Sequence, residues 1–197
     1  MTDSSARFRV IYDTYRPRVL RYLTRLVGQR EAEDLTQEVL IKVSKGLGRF
    51  RGDSGLSTWI YRIATNSALD RLRGPAPRQV HDSEDLIASE QGDDGPAQNP
   101  DCAGDAAPSV EAGAMRREMS QCVLEFVQRL PEHYRTVLLL SDLQGFRNAE
   151  IAAITGISLD SVKIRLHRAR EKLRQDLSSG CTFHRDERSQ FACDRRP

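Results

Sequence analysis

Long apolar runs are missing from this 197-residue chain. No uninterrupted apolar stretch exceeds four residues, so neither a membrane-spanning helix nor the apolar core of a secretion signal is present. A soluble, intracellular protein with no membrane partner is expected. The cysteines are four, at 102, 122, 181 and 193, and lack the close pair that usually marks a zinc site. Arithmetic alone would allow two disulfides, but without a secretion signal a reducing compartment is the better expectation. Catalytic signatures are missing too. There is no phosphate-cradling glycine loop, no nucleophile motif with a general base and no closed metal site, so nothing supports an enzyme.

Net charge is nearly absent, at +2 from thirty basic and twenty-eight acidic residues, but the balance is segregated. Residues 75–113 hold nine acids against Arg78 alone, a local −8 within a total of +2, which leaves +10 for the rest. Basic surfaces that meet polyanions, separated by an acidic connector, fit that distribution. From Gly74 to Gly113 the chain also carries five prolines and five glycines, with few aromatic or β-branched residues to bury, and reads as a flexible linker. As a coil it would span on the order of 35 Å, and roughly 130 Å drawn out, so the flanking domains could engage distant sites.

What remains is helical, and the expected fold class is all-α. Phe8, Ile11, Tyr12, Tyr15, Val19, Tyr22, Leu23 and Leu26 fall at steps of three and four, one stripe of a helix running to about Val27. Leu35, Val39, Val43 and Leu47 make a second stripe from about Glu31. Ser54 or Ser57 is the candidate cap of a third helix, with Trp59, Ile60, Ile63, Ala64, Ala68 and Leu72 as its apolar side and Gly74-Pro75 as its stop. This gives a first domain over 1–74, the linker over 75–113, a second domain over 114–178 and a tail over 179–197. The second domain opens with Met115, Met119, Cys122, Val123, Phe126 and Leu130, where Cys122 reads as core. A helix follows Pro131 and ends at Gly145.

The sharpest local signal surrounds Gly156. A short helix over Asn148–Thr155, a glycine turn, a Ser158 cap and a longer helix with the seam Val162, Leu166, Ala169, Leu173 and Leu177 form the pattern of a helix-turn-helix unit, whose second helix enters the DNA major groove. The other face of that helix carries Lys163, Arg165, His167, Arg168, Arg170, Lys172 and Arg174 against Asp160, Glu171 and Asp176. Its alternative reading is a solvated, salt-bridged face.

Several runs resemble extracytoplasmic-function RNA polymerase sigma factors of the sigma-70 family. Ala149-Glu150-Ile151-Ala152, Gly156-Ile157-Ser158 and Ser161 through Arg170, preceded by Leu130-Pro131 and Arg135, resemble sigma region 4. Asp34-Leu35-Thr36-Gln37-Glu38, Phe50-Arg51-Gly52-Asp53-Ser54 and Thr58 through Asn66 resemble sigma region 2 in order and spacing. The resemblance implies two small helical domains, regions 2 and 4, with core RNA polymerase, through its β′ clamp and β subunits, and promoter DNA as partners. In many members an anti-sigma factor is a further partner.

By position, the resemblance implies polymerase contacts at Asp34, Gln37 and Glu38. They lie three and four residues apart on one helix side, where a plain acidic first turn favouring the helix dipole is the other reading. It implies minus-10 contacts at Phe50, Arg51, Gly52, Trp59, Arg62 and Asn66. There the loop would hold a flipped base, with Trp59 either a wedge or packing beneath the loop. Arg71 and Arg73 would touch phosphate. It implies minus-35 contacts at Ser161, Lys163, Ile164, Arg165, His167 and Arg168. The family often has a small polar residue in place of Ile164, so a contact there is apolar.

No cofactor is required by this reading. In the tail, Cys181, His184 and Cys193 are candidate ligands for zinc or another metal, with Cys102 or Cys122 able to complete the site, although Cys122 is more simply core. A redox pair of Cys181 with Cys193, and an inert or partner-docking tail, stay open beside it. Two other functions also stay open: a helix-turn-helix regulator acting without polymerase, and a metal- or thiol-responsive interaction protein working through its tail.

Overall fold

A computed structural model describes residues 2–52, 54–74, 122–185 and 191–195. The linker expected over 75–113, with Cys102, and the opening of the second domain at Met115 and Met119 lie outside the described residues.

The first domain is three helices: α1 (Thr2–Val27), α2 (Gln29–Gly46) and α3 (Leu56–Arg73). The predicted stripes supply its core. Val19, Tyr22, Leu23 and Leu26 of α1 meet Leu35, Val39 and Val43 of α2 and Ile60, Ala64 and Ala68 of α3, all fully or almost fully buried. The stripes fail at their ends, where Tyr12 and Leu72 are exposed. α3 also buries polar groups that periodicity did not assign inward: Thr58, Thr65 and Ser67. Thr65 and Ser67 are hydrogen-bonded. The Tyr22 phenol lies 2.9 Å from the Thr65 hydroxyl, and Lys42 donates to Ser67 at 2.8 Å. Burial holds the Tyr22 phenol well above its usual pKa, so the α1–α3 link is a neutral hydrogen bond at every physiological pH. One capping expectation is corrected. The residue before α3 is Gly55, without a side-chain cap, so neither Ser54 nor Ser57 serves; Ser57 already lies inside the helix.

The second domain comprises α4 (described over 122–129), α5 (Glu132–Leu138), α6 (Asn148–Thr155) and α7 (Leu159–Gly180). α5 widens into a π turn over Leu139–Leu143, after which Gly145 takes φ +69°. Arg135, part of the region 4 resemblance, donates to the Gln128 carbonyl at 2.6 Å and so clamps the α4–α5 corner. Its guanidinium is half-buried, and that burial lowers its pKa. Among the described residues, the tail adds the one element outside an all-helical reading, an antiparallel hairpin of β1 (Cys181–Arg185) and β2 (Phe191–Arg195).

The two domains touch. Tyr61 of α3 stands edge-on to Phe146, with ring centroids 4.9 Å apart, and to Tyr22 at 5.2 Å. Its phenol donates to the Gln144 side chain, and Arg73 pairs with Glu132 at 2.6 Å. A linker of the expected length permits separation, but this aromatic contact brings the domains together.

Candidate nucleic-acid and polymerase interfaces

Local chemistry builds the helix-turn-helix. Gly156 takes φ +75°, the left-handed conformation that ends α6, and its N–H bonds to Ala152 O at 2.8 Å. Arg147 N–H donates to Glu150 at 2.9 Å at the start of α6. Ser158 then caps α7, accepting the Ser161 N–H at 3.1 Å. Val162, Leu166 and Ala169 are buried. This rotates the other side of α7 outward: His167 is exposed, and Ser161, Lys163, Ile164, Arg165 and Arg168 are half-buried. All six residues expected to read the upstream element therefore lie off the buried seam in the first half of α7. Arg170 is different. It grips Asp142 of the π turn at 2.6 Å and Ser141 at 3.2 Å, which ties α7 to the π turn and makes it a scaffold residue.

The second surface is on α2. Ala32, Leu35, Thr36 and Val39 point inward, and Asp34, Gln37 and Glu38 are exposed between them. The acidic side continues to Glu31, which holds Arg71 at 2.7 Å while Glu38 stands 3.7 Å from the same guanidinium. Arg71 and Arg73, expected at phosphate, are thus committed to Glu31, Glu38 and Glu132 in this arrangement. The reason is placement: the last turn of α3 ends beside α2 and against α5.

The third surface is the loop between α2 and α3. Phe50 packs on Trp59 with centroids 5.0 Å apart, and Trp59 lies so close over Gly46 that an added Cβ would sit 2.8 Å from its ring. Of the two readings of Trp59, packing beneath the loop is the one this geometry supports. Arg51 and Gly52 are exposed, Gly52 with φ +81°, and Asp53 lies outside the described residues. Arg62 is exposed and Asn66 half-buried, one turn apart on α3. The loop and this helix face form a ledge with two cationic side chains beside an aromatic pair, suited to holding an unstacked base.

The tail departs from expectation. Three thiols gather there, with the sulfurs of Cys122, Cys181 and Cys193 all within 4.8 Å of one another. His184 is not in the group. Three residues beyond Cys181 on an extended strand, it faces the opposite side of the hairpin, whereas Cys193 lies opposite Phe183 and so shares the Cys181 face. The fold therefore does not bring Cys181, His184 and Cys193 together as a set: Cys122, which fits an apolar stripe, takes the place beside Cys181 and Cys193 that was expected of His184. Burial, then the neighbouring Cys122 and Cys193 thiols, push the Cys181 thiol up to about 11.

Residues 11–76 match the family described as Sigma-70 region 2, and residues 120–173 match Sigma-70, region 4. The chain is 33% identical over 171 residues to the ECF RNA polymerase sigma factor SigW of Bacillus subtilis, covering 86% of this chain and 88% of that one. It is 35% identical to the RNA polymerase sigma-H factor of Pseudomonas aeruginosa over 162 residues, 81% of this chain and 80% of the relative. The ECF RNA polymerase sigma-E factor of Escherichia coli K12 is 32% identical over 166 residues, 84% of each chain. Among solved structures, CnrH in complex with the cytosolic domain of CnrY aligns with a TM-score of 0.61 at 19% identity, covering 90% of this chain and 91% of that one. The sigma factor RpoE of Bartonella quintana, in complex with the anti-sigma factor NepR, aligns with a TM-score of 0.60 at 24% identity, covering 87% and 96%. At these identities the two structures speak for the fold.

Proposed function

The chain belongs to the extracytoplasmic-function branch of the sigma-70 family, and from that premise we propose a division of labour among its three surfaces. As a sigma factor it directs core RNA polymerase to specific promoters. The observation that carries the reading is the pairing of two ordered modules, each presenting polar side chains from a closed core. An autonomous DNA-binding regulator would use α6 and α7 and have no work for the exposed Asp34, Gln37 and Glu38.

In this proposal Asp34, Gln37 and Glu38 dock on the β′ clamp, and other contacts reach the β subunit. Phe50, Arg51, Gly52, Arg62 and Asn66 hold the opened minus-10 strand, with Trp59 supporting the loop from below. Ser161, Lys163, Ile164, Arg165, His167 and Arg168 read the minus-35 duplex from the major groove. A bidentate arginine on guanine contributes roughly 1–3 kcal/mol of discrimination, so one such contact from Arg165 or Arg168 suffices to favour one base over the others. Ile164 can offer only an apolar contact, of the kind a thymine methyl group provides.

The factor acts without catalytic chemistry of its own, the bond-making belonging to the polymerase. We place it in the cytoplasm; among the described residues no helix is long and apolar enough to cross a membrane. An anti-sigma factor is part of the proposal, supported by the RpoE neighbour that was solved holding one. Run-off transcription on fragmented genomic DNA with purified core polymerase tests the reading. Discrete transcripts sharing an upstream two-part motif are expected, and core polymerase giving the same products with and without the chain would overturn it.

A further inference from the structure

The three thiols come from three separate elements: Cys122 at the described start of α4, Cys181 at the first position of β1 and Cys193 in the middle of β2. Neither the DNA-reading faces nor the polymerase-docking face uses them. Their convergence is built by packing. Gly180, the last residue of α7, passes so close to Phe126 that a Cβ there would sit 2.5 Å from the ring, and only the missing side chain lets the tail turn onto α4. Phe126 is itself buried. The hairpin register then brings Cys193 to the face already carrying Cys181.

The spacing is informative. Cys122 and Cys181 sulfurs stand 3.8 Å apart, too far for the roughly 2.05 Å of a disulfide. A tetrahedral zinc ion, with bonds of roughly 2.3 Å to each sulfur, would hold neighbouring sulfurs about 3.8 Å apart. A disulfide would use two of the three gathered thiols, whereas a metal uses all of them. Cys181 is buried at the base of the group while Cys122 and Cys193 are half-buried, so the group is closed below and reaches solvent at its rim. Soft thiolate ligands select thiophilic ions over magnesium or calcium.

We propose that Cys122, Cys181 and Cys193 form a three-thiolate zinc site, with solvent as the fourth ligand, that fastens the C-terminal hairpin onto the first helix of the DNA-reading domain. Because the ligands are brought together only by the folded domain, zinc binding adds to the stability of that domain. Metal availability thereby sets how firmly the tail is docked at the end of α7.

The test uses the full chain, purified under reducing conditions, loaded with zinc and dialysed, with metal content read by mass spectrometry. About one zinc ion per chain is expected, and cobalt in its place should show the intense near-ultraviolet sulfur-to-cobalt absorption and the visible bands of a four-coordinate site. Cys122→Ser, Cys181→Ser and Cys193→Ser should each weaken zinc binding by more than the roughly 10–100-fold that loss of an outer-shell partner causes. Cys102→Ser and His184→Ala should leave it unchanged. Cys193 lies in the hairpin and outside the helical core, so its variant answers even if Cys122→Ser or Cys181→Ser misfolds. A wild-type chain that retains no zinc overturns the proposal. So does binding that survives Cys122→Ser but is lost in His184→Ala, which would move the site into the tail alone. A chain that takes up no metal and instead loses two mass units on mild oxidation, reversibly, is a redox pair and overturns it equally.

Discussion

The two helical domains solve the same problem differently. The N-terminal domain packs its three helices on one another, cross-links α1 to α3 through Tyr22 and Thr65, and extends its core through Tyr61 onto Phe146 of the C-terminal domain. The C-terminal domain depends on pieces outside its helix-turn-helix. Its α4 is covered by the end of α7 and the tail, with Phe126 against Gly180 and Cys122 beside Cys181, and its reading helix is tied by Arg170 to a π turn. Damage to the first domain, which does not touch the hairpin through these contacts, should therefore leave the tail in place, while damage at α4 should reach it.

The largest expected effect tests that contrast. Phe126→Ala empties a buried ring site and should cost about 3–5 kcal/mol, releasing the hairpin to proteolysis between α7 and the C-terminus. Leu35→Ala, at a fully buried position of α2, should cost about 2–5 kcal/mol and leave tail proteolysis unchanged. Limited digestion of both variants, followed by mass analysis, decides; equal tail release in both would erase the distinction.

A smaller effect separates recognition from stability. Arg165→Ala should lose about 1–3 kcal/mol of binding to a minus-35 duplex, with affinity for core polymerase unchanged. Binding curves with the cognate and a base-substituted duplex measure it, and an unchanged preference between the two would remove Arg165 from base readout. Smallest is the cap. Ser158→Ala removes the acceptor for the Ser161 N–H and should cost about 1 kcal/mol, read as a lower melting temperature of the C-terminal domain with no change in the N-terminal one.

Helical periodicity carried most of the architecture. The bounds of α6, the Gly156 turn and the Ser158 cap are legible to the residue, because each is set by chemistry within a few positions. The same holds for Asp34, Gln37 and Glu38, whose exposure follows from the burial of Leu35, Thr36 and Val39 between them. What spacing could not supply is which outward face meets another element. Tyr61 lies off the predicted stripe of α3 and yet anchors the domain contact. Arg71 and Arg73 look like phosphate ligands until the acids that face them are known. Cys122 fits an apolar stripe, and only the fold brings residues 59 positions apart together. The hairpin was illegible for a different reason: Cys181–Arg185 and Phe191–Arg195 are short, charged and poor in β-branched residues, so their pairing depends on the domain beneath them.

The central claim is that polymerase docking and upstream DNA reading reside on different domains of one factor. Co-elution of the full chain with purified core polymerase, compared among the wild type, the Asp34→Lys, Glu38→Lys double variant and Arg165→Ala, tests it most directly. The account predicts that the double variant elutes free of core while Arg165→Ala stays bound. Retention of the double variant on core polymerase, with its fold intact by circular dichroism, would contradict it.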